Sequence, residues 1–307
     1  MQERRSFTPR VVLLGLAISL VAALAVALYI YVRYVRYDPV ALRHVPPEVP
    51  IVVHLNVQQA VIYEPFRKHL LHLFEAGRKG PESRLLHLER KTTLELGVDA
   101  REVAFGFGPG DSWVVGVGGL FRRKEVVEGA ARMLQDESVA SDVLSHPTRL
   151  RLDSGVEFSV AEDGTLLLAQ SEAMLRGALV RADRPAEGRR DDLITLEVRP
   201  SAAWEWGGGR TLQSLRGVVR AEGEKLVYTV DLFVAGPGWE EALKDAPLAF
   251  AEAPGELGAT AQLLREARVS QSGPGEWKLE GTLSRRDFEE LVARLALVVR
   301  TALDLPM

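Results

Sequence analysis

The residues best suited to acid–base or metal chemistry are six histidines, His44, His54, His69, His72, His87 and His146. The chain has no cysteine, which excludes thiol catalysis, disulfide scaffolds and cysteine metal sites. His69, His72 and Glu75 recur at i, i+3, i+6 and could offer three ligands from one helix. At about 100° per residue they spread over roughly 120° of helix surface, too wide to converge on one ion. They are read as a polar helix flank, and no metal site is expected. His54 alternates with apolar neighbours in Ile51-Val52-Val53-His54-Leu55, a strand pattern. It is read as a solvent-facing or hydrogen-bonded histidine rather than a general base.

Other chemical signatures are weak. There is no Gly-x-Ser-x-Gly elbow and no phosphate loop of the Gly-x-x-x-x-Gly-Lys-Ser/Thr type. Gly106-Phe107-Gly108 has Asp111 where a dinucleotide fingerprint needs glycine, so its glycines are assigned to a turn and to close packing. Gly110-Asp111-Ser112 falls at the same hairpin turn and is not read as a nucleophile. Trp204-Glu205-Trp206 precedes three glycines, and the two indoles share a side if the backbone is extended. Trp204 and Trp206 form the candidate partner-contact loop, with packing onto the core as the alternative. Catalytic residues and cofactors are expected to be none.

The strongest signal lies near the N-terminus. Val11 to Val32 carries no charge over 22 positions. As a helix it would reach about 33 Å, enough for a bilayer core. Arg4, Arg5 and Arg10 precede it, Arg33 and Arg36 follow it, and Tyr29, Tyr31, Tyr34 and Tyr37 cluster at its end, as in an interfacial belt. A cleaved signal peptide is the rival reading, because Ala23-Leu24-Ala25 and Ala25-Val26-Ala27 fit cleavage sites. The apolar run continues past both, which favours an uncleaved anchor. Gly15, Ser19, Ala23 and Ala27 repeat every four residues and give a candidate helix–helix interface, for a protein partner or a second copy. The flanking charges nearly balance, with a slight lean to an inside N-terminus and an extracytoplasmic C-terminal domain.

Composition fits a globular remainder: 47% hydrophobic, 26% charged, net charge −4. Five basic residues flank the apolar run, so the body is more acidic still, and nucleic acid is not an expected partner. Arginine outnumbers lysine 31 to 7, in keeping with a GC-rich bacterial genome.

The expected organisation is a short cytoplasmic tail (1–10), a transmembrane helix (11–32), a Pro-containing spacer (33–50), a first α+β half (51–181), a charged linker (182–192) and a second half (193–307). The spacer holds Pro39, Pro46, Pro47 and Pro50 and is read as a semi-stiff lead away from the membrane. Beyond it, Gly108-Pro109-Gly110, Asp163-Gly164, Glu222-Gly223 and Gly273-Pro274-Gly275 punctuate alternating segments. Four β-hairpin–helix units are expected, near 103–134, 150–181, 215–246 and 266–304. The fold class follows: α+β, a duplicated domain of antiparallel hairpin–helix units with helices packed on the sheets.

With its Arg-flanked anchor, then Val45-Pro46-Pro47-Glu48-Val49-Pro50 into Ile51-Val52-Val53-His54-Leu55-Asn56-Val57, the chain resembles bacterial envelope proteins with a single N-terminal anchor and a repeated α+β exoplasmic domain. The resemblance implies location at the inner membrane and carries over no catalytic residue. The expected function is a non-enzymatic, single-pass envelope protein whose exposed domain is an interaction or scaffold module. Two alternatives remain: a binding domain for lipid or another apolar ligand, and an unrecognised hydrolase using Asp, Glu or His.

Overall fold

The strands at Ile51–Leu55, Ala100–Phe107 and Trp113–Gly119 alternate buried and more exposed positions, so each has one face for a core and one turned away from it. In the computed structural model the described residues are chiefly 39–69, 99–110, 112–119, 142–144, 149–151, 155–180, 192–200, 204–205, 209–243 and 267–290, with single positions between them. The strands are β1 (Ile51–Leu55), β2 (Ala100–Phe107), β3 (Trp113–Gly119), β4 (Asp142–Leu144), β5 (Arg149–Arg151), β6 (Glu157–Val160), β7 (Leu166–Ala169), β8 (Asp192–Val198), β9 (Trp204–Glu205), β10 (Thr211–Glu222), β11 (Lys225–Ala235), β12 (Arg268–Gly273) and β13 (Glu276–Leu283). Among the described residues α1 (Val57–Ile62), α2 (Glu172–Leu179) and a 3-10 turn (Ala41–His44) accompany them, with further helical residues at 64–69, 239–243 and 285–290.

All thirteen strands belong to one antiparallel sheet, ordered β12-β13-β11-β10-β8-β1-β2-β3-β7-β6-β5-β4, with β9 on β10. This overturns the expectation of a duplicated domain of helix-covered units. The hairpins do form, at β2–β3, β6–β7, β10–β11 and β12–β13. They are links of one continuous sheet, because β1 and β8 pair with each other (Ile51 opposite Val198, Leu55 opposite Ile194) and leave no seam between two halves. Helices are few among the described residues, and none is long and apolar enough to cross a membrane. The segment 11–32 lies outside the described residues, as does nearly all of the linker 182–192.

Positive φ at Gly110, Gly164, Gly223 and Gly275 lets the four hairpins turn where a side chain would be strained. The helix starts follow ordinary capping chemistry. Asn56 accepts from the Gln59 amide to start α1, and Ser171 accepts from the Met174 amide to start α2. Ser284 accepts from the Asp287 amide and donates to its carboxylate at 2.6 Å, starting the helical residues 285–290.

Two faces of the sheet carry different cores. On one side of β1, β2, β3 and β7, Val52, Ala104, Val114, Leu167 and Ala169 pack against Leu175 and Ala178 of α2. On the other face, Leu193, Leu226, Tyr228 and Leu283 meet Tyr63, Phe66 and Phe288, with Phe288 ring centroids 5.5 and 5.6 Å from Tyr63 and Phe66. Leu212, Leu232, Val234, Trp239 and Trp277 extend that face toward the β12 edge.

Residues 39–50 depart from the spacer reading. Ala41, Val45 and Val49 are essentially inaccessible and lie in the first core, and the chain from Pro39 onward forms one unit. The segment is a strap across the sheet. Glycines make room for it: a Cβ on Gly106 would stand 2.8 Å from Val45 Cγ1 and 3.0 Å from Val49 Cγ1, and one on Gly116 would stand 3.3 Å from the Ala41 carbonyl oxygen.

Candidate functional site

A strap rich in proline cannot enter a sheet, because proline lacks the N–H that a ladder requires. Its polar backbone groups must find partners elsewhere once buried. Buried Glu102 and Arg199 supply them, and a further buried group, His44 of the strap itself, ties the segment to its neighbours.

The first is Glu102 on β2. It occupies the inward phase of the strand, with Ala100, Ala104 and Gly106, and is 1% exposed. Its Oε1 accepts from the amides of Val40 and, at 2.9 Å, Ala41. Its Oε2 lies 2.7 Å from Nε2 of His54, which is buried on neighbouring β1. Burial pushes the Glu102 carboxyl up. The His54 hydrogen bond and charge and the two strap amides outweigh it and hold the carboxyl below its ordinary range. The amides of Val40 and Ala41 stand at the entry of the 3-10 turn, where helix-type N–H groups lack internal partners, so Glu102 serves as a cap from a distant strand.

The second is His44, at the end of that turn and 3% exposed. Its Nδ1 lies 2.8 Å from the Ala178 carbonyl oxygen of α2, and its Nε2 lies 2.9 Å from Asp163 Oδ2 in the β6–β7 turn. Asp163 is oriented by Thr165, whose amide and hydroxyl donate to Oδ1 at 3.1 and 2.7 Å.

The third is Arg199, just past β8 and 7% exposed. One terminal nitrogen, Nη1, donates to the carbonyls of Pro46, Pro47 and Val49 at 2.9, 3.2 and 3.2 Å. Its own amide donates to Pro50 O at 2.7 Å, and its Nε reaches Glu197 at 3.3 Å. A guanidinium suits this task because it presents several donors in a rigid plane and stays charged when buried.

Chemically these groups fix a segment. His54 and Glu102 are a histidine–carboxylate pair of the kind used in catalysis, but both are enclosed and committed to the strap. His54 is therefore a hydrogen-bonded histidine, one of the two forms expected of it. Sequence reasoning passed over Glu102, His44, Asp163 and Arg199. Glu102 had a readable signal, an acid in the apolar phase of an alternating strand.

The other sequence candidates fall as follows. Gly15, Ser19, Ala23 and Ala27 lie outside the described residues. Trp204 belongs to β9, opposite Leu212 of β10, and Trp206 lies outside the described residues. His69 is described, with Nε2 4.0 Å from Glu289 Oε1, whereas His72 and Glu75 are not. Among the described residues no three potential ligands cluster around a metal position. The Ser112 hydroxyl donates to Pro109 O at 2.9 Å in the β2–β3 turn, beside Gly110.

Two further surface features remain, the second of which begins at Glu197, the partner of Arg199. An open cleft of about 490 Å³ is bordered by Trp239, Glu240, Glu241, Gln271 and Trp277. The Trp239 indole donates to Ala235 O at 2.9 Å. The outer face of β8, β10, β11 and β13 carries a cross-strand row, Glu197, Arg216, Asp231 and Lys278, in register. Phe233, two residues from Asp231 and so on the same face, is 42% exposed.

No family model matches the chain, and no curated protein matches it. A solved structure titled "Structure of crystal form I of TP0453" is similar, with a TM-score of 0.46 and 12% identity over 85% of this chain and 98% of that one. That likeness is too weak to carry an argument. The resemblance seen in residues 45–57 therefore has a weak structural neighbour beside it and no family model.

Proposed function

We propose that this chain is a non-enzymatic interaction module held at a bacterial membrane by the apolar run Val11–Val32, its sheet domain on the extracytoplasmic side. The observation that carries the reading is the outer face of β8, β10, β11 and β13. Its alternating charges stand opposite one another across the strands, Glu197 facing Arg216, Arg216 facing Asp231 and Asp231 facing Lys278, and along β13 itself Lys278 reaches Glu280 at 2.6 Å. An exposed Phe233 stands among them. A rigid ionic surface around a single aromatic suits docking onto a protein, because a buried aromatic supplies affinity and the charges supply register.

The hydrolase alternative needs an accessible histidine–carboxylate pair, and His54 and His44 are spent on the strap. The apolar-ligand alternative needs an enclosed apolar cavity, and the cleft beside Trp239 is open and bordered by Glu240, Glu241 and Gln271.

The test is recovery of a partner in mild detergent from cells of the source bacterium, with Phe233→Asp and Asp231→Lys as variants. The reading expects a partner held by the natural chain and lost by both variants at unchanged thermal stability. Recovery of the same proteins by all three would refute it.

A further inference from the structure

We propose that His44 is a proton-dependent latch: as an imidazolium it ties the strap to α2 and to the β6–β7 turn together, and loss of one proton undoes one tie. The argument is one of donors and acceptors. Nδ1 faces a carbonyl oxygen, Ala178 O, which cannot donate. Nε2 faces Asp163 Oδ2, whose sister oxygen already accepts twice from Thr165. A neutral imidazole has one N–H and one lone pair, so one of these acceptors would confront a lone pair. Only the doubly protonated ring completes both bonds.

Both groups facing the ring carry negative charge or partial negative charge. Burial raises the Asp163 carboxyl, but the His44 and Thr165 hydrogen bonds bring it well below the ordinary carboxylate range, so it stays ionised. Ala178 is in the last turn of α2, where carbonyls lack helical partners and the helix dipole favours a cation. Among the described residues, the other charged or titratable groups on the elements around the ring are Arg43 and Glu48 of the strap, Glu102 of β2 with its partner His54, Glu162 beside Asp163, and Arg176 of α2, which is bonded to Glu172. With the ring 3% exposed, water cannot readily replace a lost bond. The latched state therefore holds one proton more than the unlatched one, and loss of that proton weakens the latch. The latched segment carries Ala41, Val45 and Val49 of the core, so its release opens the face between α2 and the sheet.

The experiment uses the full-length chain in detergent micelles. Amide exchange of Leu42 to Val49 is measured from about pH 5.5 to 9 after correction for the intrinsic base-catalysed rate. Ring ¹⁵N shifts of His44 are read in parallel. The natural chain is expected to lose roughly 10- to 100-fold of strap protection as the ring becomes neutral, the scale of one hydrogen bond to a charged group. Asp163→Asn turns the acceptor facing Nε2 into an amide donor, so a neutral ring completes both bonds. Its strap protection is expected to be flat with pH. His44→Gln, which cannot titrate, should give lower protection that is also flat. A pH profile in either variant matching that of the natural chain would overturn the proposal. So would a neutral His44 ring in a fully protected strap.

Discussion

Replacing Glu102 by alanine should be among the most damaging single changes in the sheet, and the structure says by how much. The carboxylate is 1% exposed and accepts from three donors, the amides of Val40 and Ala41 and the ring of His54. Alanine strands all three in a dry site. A buried donor left without a partner costs about 1–3 kcal/mol, so the expected loss is about 4–6 kcal/mol. Domain stability is typically about 5–15 kcal/mol, so Glu102→Ala should unfold the body or free the strap near room temperature. Glu102→Gln keeps an acceptor for the two amides and loses the charge facing His54, for a loss of about 1–2 kcal/mol. Urea denaturation followed by tryptophan fluorescence ranks the three proteins. If both variants fall within about 0.5 kcal/mol of the natural chain, the reasoning about the strap is wrong.

Further predictions come from the same contacts. Arg199→Met should remove about 3 kcal/mol by stranding three strap carbonyls, seen as a lower urea midpoint. Gly106→Ala should destabilise by about 1–3 kcal/mol through collision with Val45 and Val49, and Val45→Ala in the same chain should recover part of it in a double-mutant cycle. Acid should weaken the fold. Glu102 and Asp163 are both held below their ordinary ranges, so their contribution is present above the unfolded carboxylate values of about 4. It is lost as pH falls through the lower folded values, and Glu102→Gln should blunt that loss in a pH series of urea midpoints.

How much of this was legible in the chain depended on the range of the interaction. The hairpins were, because Asp163-Gly164 and Glu222-Gly223 are local turn chemistry read within a few residues. The merging of all strands into one sheet was not. Alternation tells which side of β1 and β8 faces a core, but it is silent on which edges meet, and Ile51 finds Val198 across nearly half of the chain. The strap was misread for a related reason. Four prolines remove donors locally and so look like a free tether, whereas its carbonyls are satisfied by Arg199, about 150 residues away. His54 was read as solvent-facing or hydrogen-bonded and proves hydrogen-bonded, yet its partner was missed. An acid at Glu102, in phase with Ala100 and Ala104, was the sign that a buried cation or backbone cap stood opposite. Phe233 and the ionic row became visible as one surface only once the register of β8, β10, β11 and β13 placed Glu197, Arg216, Asp231 and Lys278 side by side.

The most direct test of the strap as part of the folded body is amide exchange of Ala41 to Val49 in the full-length chain near neutral pH, compared with β1 and β2. The account predicts protection at Ala41, Val45 and Val49 within about tenfold of Val52 and Ala104, and its selective collapse in Arg199→Met. Exchange of residues 41–49 at the rate of an unstructured peptide, beside a protected sheet, would contradict it.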